Sequence, residues 1–162
     1  MLEAIAKFRT LKELESIVGN LKDKGKRIVL ANGCFDIIHV GHIRYLAGAK
    51  ALGDVLIVAV NSDRSTEILK GNGRPVMPEE ERVEIISSLE FVDYVTLFDE
   101  LNVENILLKL KPHFHAKGSD YSEDTVPEKE IVKSYGGRVV ITGDPKNHSS
   151  KDIIKSIAGI HR

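Results

Sequence analysis

The sequence predicts a single α/β domain built on a parallel, doubly wound sheet, and three observations predict it. Short β-branched runs alternate with segments of helical period, the pattern of parallel strands covered on both faces. One run, Val55–Val60, is apolar at every position, as a strand buried on both faces requires. The chain has 162 residues, 42% hydrophobic and 29% charged, which is the size and make-up of one ordinary domain. Right-handed crossovers between parallel strands then wind helices onto both faces.

The elements follow in order. Thr10-Leu11-Lys12-Glu13 is a capping box, in which the Thr hydroxyl and the Glu carboxylate satisfy free amides reciprocally. Leu11, Leu14, Ile17, Val18 and Leu21 then recur at helical spacing, so residues 1–26 are expected to form a helical brace on the sheet edge, ahead of a main domain over 27–162. Lys22–Lys26 ends that helix as an exposed basic turn; it lacks the Gly-rich spacing of a P-loop. Ile28–Ala31 reads as the first strand, Ile43–Leu52 as helical and Val55–Val60 as the central strand. Tyr94–Phe98, Phe114–Ala116 and Val139–Thr142 read as later strands, with helices near Glu79–Leu89, Val103–Leu110, Pro127–Tyr135 and Ser150–Ala158. Pro78 followed by Glu79, Glu80 and Glu81 is a good helix start, and Gly136-Gly137 a good stop. Asn61–Met77, polar and poor in periodic apolar positions, reads as a long loop or short irregular helix of the kind that carries function.

Bulk numbers exclude several classes. Lys and Arg total 23 against 24 Asp and Glu, a formal charge of -1, which argues against a large nucleic-acid face. Aromatic residues are 6% with no Trp, too few for a single-strand stacking platform. One cysteine cannot form an internal disulfide and suits a reducing cytoplasm. No apolar run approaches the roughly 20 residues of a membrane span, and Met1-Leu2-Glu3-Ala4 lacks the order of a signal peptide. The expectation is a cytoplasmic protein that binds neither nucleic acid nor membrane.

The stretch Gly33-Cys34-Phe35-Asp36-Ile37-Ile38-His39-Val40-Gly41-His42 holds the chemistry. It sets two histidines three residues apart at a strand-to-helix turn. Helix-start amides and the positive end of the helix dipole attract phosphate there. Imidazoles aimed at a reacting phosphate add donors whose loss typically costs about 3 kcal/mol. His-x-x-His also supplies two zinc ligands, but no third neighbours it in sequence. Gly41 is expected to let backbone approach phosphate closely. Asp36 is expected to orient backbone amides of the turn or fix a metal-bound water, and phosphoryl transfer asks no nucleophile of Cys34. His113 and His115 alternate on a strand and read as core or edge residues.

This decamer resembles the nucleotidyltransferase superfamily marked by His-x-Gly-His, the cytidylyltransferase-like proteins. Asn32–Asp36, Val60-Asn61-Ser62-Asp63, Leu69-Lys70-Gly71, Gly73-Arg74-Pro75-Val76, Glu81-Arg82 and Lys117-Gly118-Ser119-Asp120-Tyr121 are similar, as an ordered set, to the branch of bacterial heptose 1-phosphate adenylyltransferases. The resemblance spans about Arg27 to Ile157. It implies a Rossmann-like five-stranded sheet of order 3-2-1-4-5, with the site where strands one and four diverge. It implies transfer of AMP from ATP to a sugar 1-phosphate, with Mg²⁺ on the phosphates, release of pyrophosphate and an ADP-sugar for cell-envelope polysaccharide as product. His39, His42 and Lys70 become the expected catalytic residues. Gly33, Cys34, Phe35, Gly41, Lys117, Asp120, Ser149 and Ser150 become the expected nucleotide-binding residues, and Asp63, Arg74 and Arg82 those for the acceptor phosphate. A homodimer is the expected assembly.

Alternatives stay open at this stage. A CTP-dependent enzyme acting on a polyol phosphate such as glycerol 3-phosphate shares the core motifs. Ser149-Ser150-Lys151, with Lys where the superfamily commonly has Thr and no adjacent Arg, departs from the cytidylyltransferase pattern. Ser149 or Ser150 with Asp152 is also a sufficient helix cap. A non-catalytic nucleotide-binding module would bind nucleotide without forming pyrophosphate.

Overall fold

The computed structural model describes residues 1–160. Five parallel strands, β1 (Ile28–Gly33), β2 (Val55–Asn61), β3 (Tyr94–Phe98), β4 (Phe114–Lys117) and β5 (Arg138–Ile141), form one sheet in the order β3-β2-β1-β4-β5. The order implied by the resemblance is thus observed. The registers Ile28↔Val55 and Val29↔Phe114 leave β1 and β4 adjacent, with their connections departing in opposite directions.

Side-chain alternation divides the core in two. Ile28 and Leu30 of β1 face α1 (Leu11–Asp23), α5 (Glu104–Leu110) and α6 (Lys129–Ser134), packing with Leu14, Val18, Leu107 and Val132. Val29 and Ala31 face the other way, against Leu46 and Ala49 of α2 (Val40–Lys50) and Val83 and Ile86 of α4 (Glu79–Ser87). A central parallel strand sandwiched in this way has no polar face to offer.

The expected edge brace is displaced. Leu14 and Val18 of α1 are buried within the core over β1 and β2, so the helix covers the sheet face. Contact with the edge strand β3 is made instead by residues 7–9, where the Val95 amide donates to the Lys7 carbonyl and the Arg9 amide to the Val95 carbonyl, both at 2.9 Å. The Thr10–Glu13 capping box is present as read.

The region 61–77 contains a regular helix, α3 (Asp63–Lys70), capped by the Ser62 hydroxyl accepting the Ser65 amide at 3.1 Å. Ser65 and Thr66 are its buried residues, so it seats a polar face on the end of β2. The last helix, α7 (Ser150–Ile160), buries no residue fully. No helix among the described residues is long and apolar enough to cross a membrane.

Candidate active site

The carboxyl ends of β1, β2, β4 and β5 surround one cleft, the switch point of a doubly wound sheet. At its floor, α2 starts earlier than its apolar pattern suggests, because His39 is its N-cap. The His39 Nδ1 accepts the Gly41 amide at 3.1 Å, and the His42 Nδ1 accepts the His39 amide at 3.3 Å. This is a capping box written in imidazoles. It corrects the expectation of bare amides facing a phosphate, since these two amides of the turn are bonded to rings. It also assigns the tautomers: a ring accepting at Nδ1 carries its proton on Nε2. The two rings stack with centroids 3.9 Å apart. Burial, then the fields of His39 and Lys70, push the His42 pKa down to about 4. Burial, then His148 and Lys146, lower that of His39. The pair at neutral pH is therefore two uncharged Nε2–H donors.

The glycines explain themselves through those rings. A Cβ on Gly41 would sit 2.9 Å from Cε1 and Nδ1 of His39, so the position is kept clear for the imidazole rather than for phosphate. A Cβ on Gly33 would meet the Phe35 ring at 3.1 Å. Phe35 adopts a left-handed backbone (φ 49°), is buried, and sets its ring edge against His42 at 5.4 Å. Expected to line the nucleotide site, Phe35 instead backs the His42 ring from inside the core. Cys34 stays half-buried with a free thiol.

Asp36 acts on a different loop from the one expected. Its carboxylate accepts the amides of Val76 and Met77 at 2.8 and 2.9 Å and pairs with Arg74. Burial opposes ionisation, but the two amides and the guanidinium outweigh it and hold the carboxyl below the usual range. Arg74 is thereby engaged by protein. Arg82 is fully buried. Its guanidinium donates to the carbonyls of Met77, Cys34 and Asn61 and to the Asp63 carboxylate, the last at 2.8 Å. Asp63, Arg74 and Arg82, expected at the acceptor phosphate, are thus engaged in two internal ties, which fasten residues 74–82 to the ends of β1 and β2. Lys70, at the exposed end of α3, has no ion-pair partner among the described residues and remains the free cation near His42.

On the far lip, Lys117 turns away from the imidazoles. Its ammonium is buried 3.9 Å from Glu128 and lies 4.8 Å from the centre of the Tyr121 ring. His115, fully buried, is also 3.9 Å from Glu128, and both its ring nitrogens lack a hydrogen-bond partner. Lys117, expected at the nucleotide phosphates, is thus engaged by Glu128 and Tyr121. Asp120 projects into the cleft and pairs with Lys146 at 2.6 Å, joining the ends of β4 and β5. A Cβ on Gly118 would meet nothing within 4 Å, so this turn has an open surface. Ser149 caps α7: its hydroxyl donates to Asp152 at 2.8 Å and accepts the Asp152 amide at 3.1 Å. The Ser150 hydroxyl donates to the Ile37 carbonyl at 3.0 Å, so α7 is pinned to the β1 turn.

The cleft thus gathers His39, His42, Lys70 and Asp120, together with Lys146 and His148, which sequence reasoning did not single out. Their one sequence signal was position, in the linker between β5 and α7. Among the described residues no three His, Cys, Asp or Glu side chains are placed to hold a metal ion.

A family model described as cytidylyltransferase-like matches residues 30–156. The bifunctional protein HldE of Desulfatibacillum aliphaticivorans is 45% identical over 152 residues, covering 94% of this chain and 31% of that protein. HldE of Geobacter sulfurreducens is 43% identical over 155 residues, covering 96% of this chain and 32% of that protein. The chain therefore spans about a third of the length of these curated relatives. Among solved structures, the lipopolysaccharide core biosynthesis protein of Thermoplasma volcanium is 36% identical with a TM-score of 0.59, covering 72% of this chain and 94% of that one. Pantoate-beta-alanine ligase from Francisella tularensis, complexed with beta-gamma ATP and beta-alanine, has a TM-score of 0.60 at 19% identity, covering 88% and 68% respectively; that likeness is one of fold.

Proposed function

We propose, because the chain belongs to the cytidylyltransferase-like family, that it transfers AMP from ATP to a sugar 1-phosphate, with heptose 1-phosphate as the acceptor. An acceptor phosphate oxygen attacks the α-phosphorus, the bond from that phosphorus to the α–β bridging oxygen breaks, and pyrophosphate leaves with the electron pair. No covalent intermediate is needed, since positioning and charge stabilisation supply the catalysis.

The observation that carries this reading is the imidazole pair, with both Nδ1 atoms closed by backbone amides and both Nε2–H groups free to donate. Each ring conveys the polarisation of a helix-start amide to a donor atom, strengthening it as charge grows on the phosphoryl oxygens. Lys70 meets the acceptor phosphate. Cys34, Gly118, Asp120 and the α7 start border the nucleotide, and the ties through Asp36 and Arg82 hold the acceptor loop. Asp36 has its oxygens engaged, and the described residues present no ready-made cation cage, so Mg²⁺ would come with the triphosphate and screen its charge. The motif set and the kinship to a lipopolysaccharide core biosynthesis protein support a sugar phosphate acceptor, an ADP-sugar product and a place in cell-envelope synthesis in the cytoplasm. Exposed Ile157 and Ile160 on α7 support a homodimer.

The test is pyrophosphate release with ATP or CTP against heptose 1-phosphate, other sugar 1-phosphates and glycerol 3-phosphate. ATP with a sugar 1-phosphate is the expected productive pair, and His39→Ala or His42→Ala should each slow it by roughly 10²–10³. Turnover only with CTP and glycerol 3-phosphate would replace the reading with a cytidylyltransferase. Nucleotide binding without pyrophosphate from any acceptor would reduce the protein to a binding module.

A further inference from the structure

We propose that His148, on the lip opposite Lys70, is a further catalytic residue that donates a hydrogen bond to the departing pyrophosphate. This rests on the nucleotidyl-transfer reading and adds a residue to it.

Three imidazoles gather here: His39 has the His42 ring stacked at 3.9 Å and the His148 ring at 6.3 Å, tilted by 40°. The backbones meet at this point: a Cβ on Gly41 would lie 3.4 Å from the His148 Cβ. The ring of His148 is exposed and makes no hydrogen bond or ion pair among the described residues, so no structural duty accounts for it. Two residues earlier, Lys146 reaches over the same opening to Asp120.

In-line displacement decides what this lip must do. The attacking and leaving oxygens lie on opposite sides of the α-phosphorus. Lys70, at the end of α3 beyond β2, marks the side from which the acceptor comes. The leaving group must then depart toward β4 and β5, where His148 and Lys146 stand. The serines next to them are already occupied: Ser149 donates to Asp152 and Ser150 to the Ile37 carbonyl. His148 is the uncommitted donor on the path of a polyanion, and Lys146 can exchange Asp120 for phosphate oxygens.

The experiment compares the unaltered protein with His148→Ala and His148→Gln, using calorimetry with inorganic pyrophosphate and with AMP, and pyrophosphate-release kinetics. A lost hydrogen bond to a charged group should weaken pyrophosphate binding about tenfold or more in His148→Ala, leave AMP affinity within about twofold, and lower kcat more than it raises KM for the acceptor. His148→Gln keeps a donor and should restore part of the pyrophosphate affinity. Thermal unfolding should not move, because the side chain is exposed. Unaltered protein that turns over, with His148→Ala matching it in pyrophosphate affinity and kcat, overturns this assignment alone. Unaltered protein that binds neither pyrophosphate nor AMP overturns the nucleotidyl-transfer reading and the assignment together.

Discussion

The Nδ1 atom of His42 accepts the amide of His39 at 3.3 Å, so one imidazole fixes the backbone from which the other projects. The two rings form a single unit whose geometry, tautomer and charge are set together. A proton arriving at the Nδ1 of His42 would break that bond.

The pH dependence follows from that unit. The His42 pKa falls from 6.5 in the unfolded chain to about 4 in the fold, chiefly through burial. Between those values the unfolded chain binds a proton that the folded chain refuses, so this group makes stability rise with pH across that window and adds no slope above it. Unfolding temperatures measured across that range should climb and then level, and the His42→Asn variant should show a shallower climb. Ring titration followed by NMR should put the His42 midpoint well below 6.5; a midpoint at 6.5 would contradict the buried, bonded ring.

Gly41→Ala separates catalysis from stability. The added methyl would lie 2.9 Å from two atoms of the His39 ring, and a side chain can swing aside where backbone cannot. Alanine also gains up to about 1 kcal/mol over glycine within a helix. The unfolding temperature should therefore stay near that of the parent. Displacing the donor by an ångström can cost about 10²-fold in rate, so kcat should collapse. An active Gly41→Ala protein would show that the ring position is not critical.

Arg82 and Lys70 should respond in opposite ways. Arg82→Met strips donors from the carbonyls of Cys34, Asn61 and Met77, all around a buried guanidinium, and should cost about 3–5 kcal/mol in denaturant unfolding. Lys70→Ala, on the surface, should stay within about 0.5 kcal/mol of the parent while raising KM for the acceptor phosphate. An Arg82→Met protein of parental stability, defective only toward acceptor, would return Arg82 to the role of a phosphate clamp.

The strands and most helices were legible because their cores are periodic. β2 is apolar throughout, and α1 carries both its capping box and its repeat. The strand order was legible only through the resemblance, since no pattern within the chain states which strand pairs with which. Helix α3, read only as a long loop or short irregular helix, escaped a firmer reading because its buried residues are Ser65 and Thr66, which leave no apolar stripe, although Ser62 at its start was a readable cap. The burial of Arg82 was not legible because its acceptors come from residues 34, 61, 63 and 77, a convergence that exists only after folding. The proximity of His148 to His39 likewise joins a turn after β1 to a linker after β5. The placements of Lys117 and Asp120 were not legible because their partners, Glu128 and Lys146, both lie outside the motif.

Asp36 sits in the decamer of the imidazole pair yet grips Arg74 and the amides of Val76 and Met77. Swapping segment 71–77 between members of the family must therefore carry an arginine in register with that carboxylate. A graft lacking it would leave the transplanted loop unmoored. The smallest portable unit of this loop includes the aspartate.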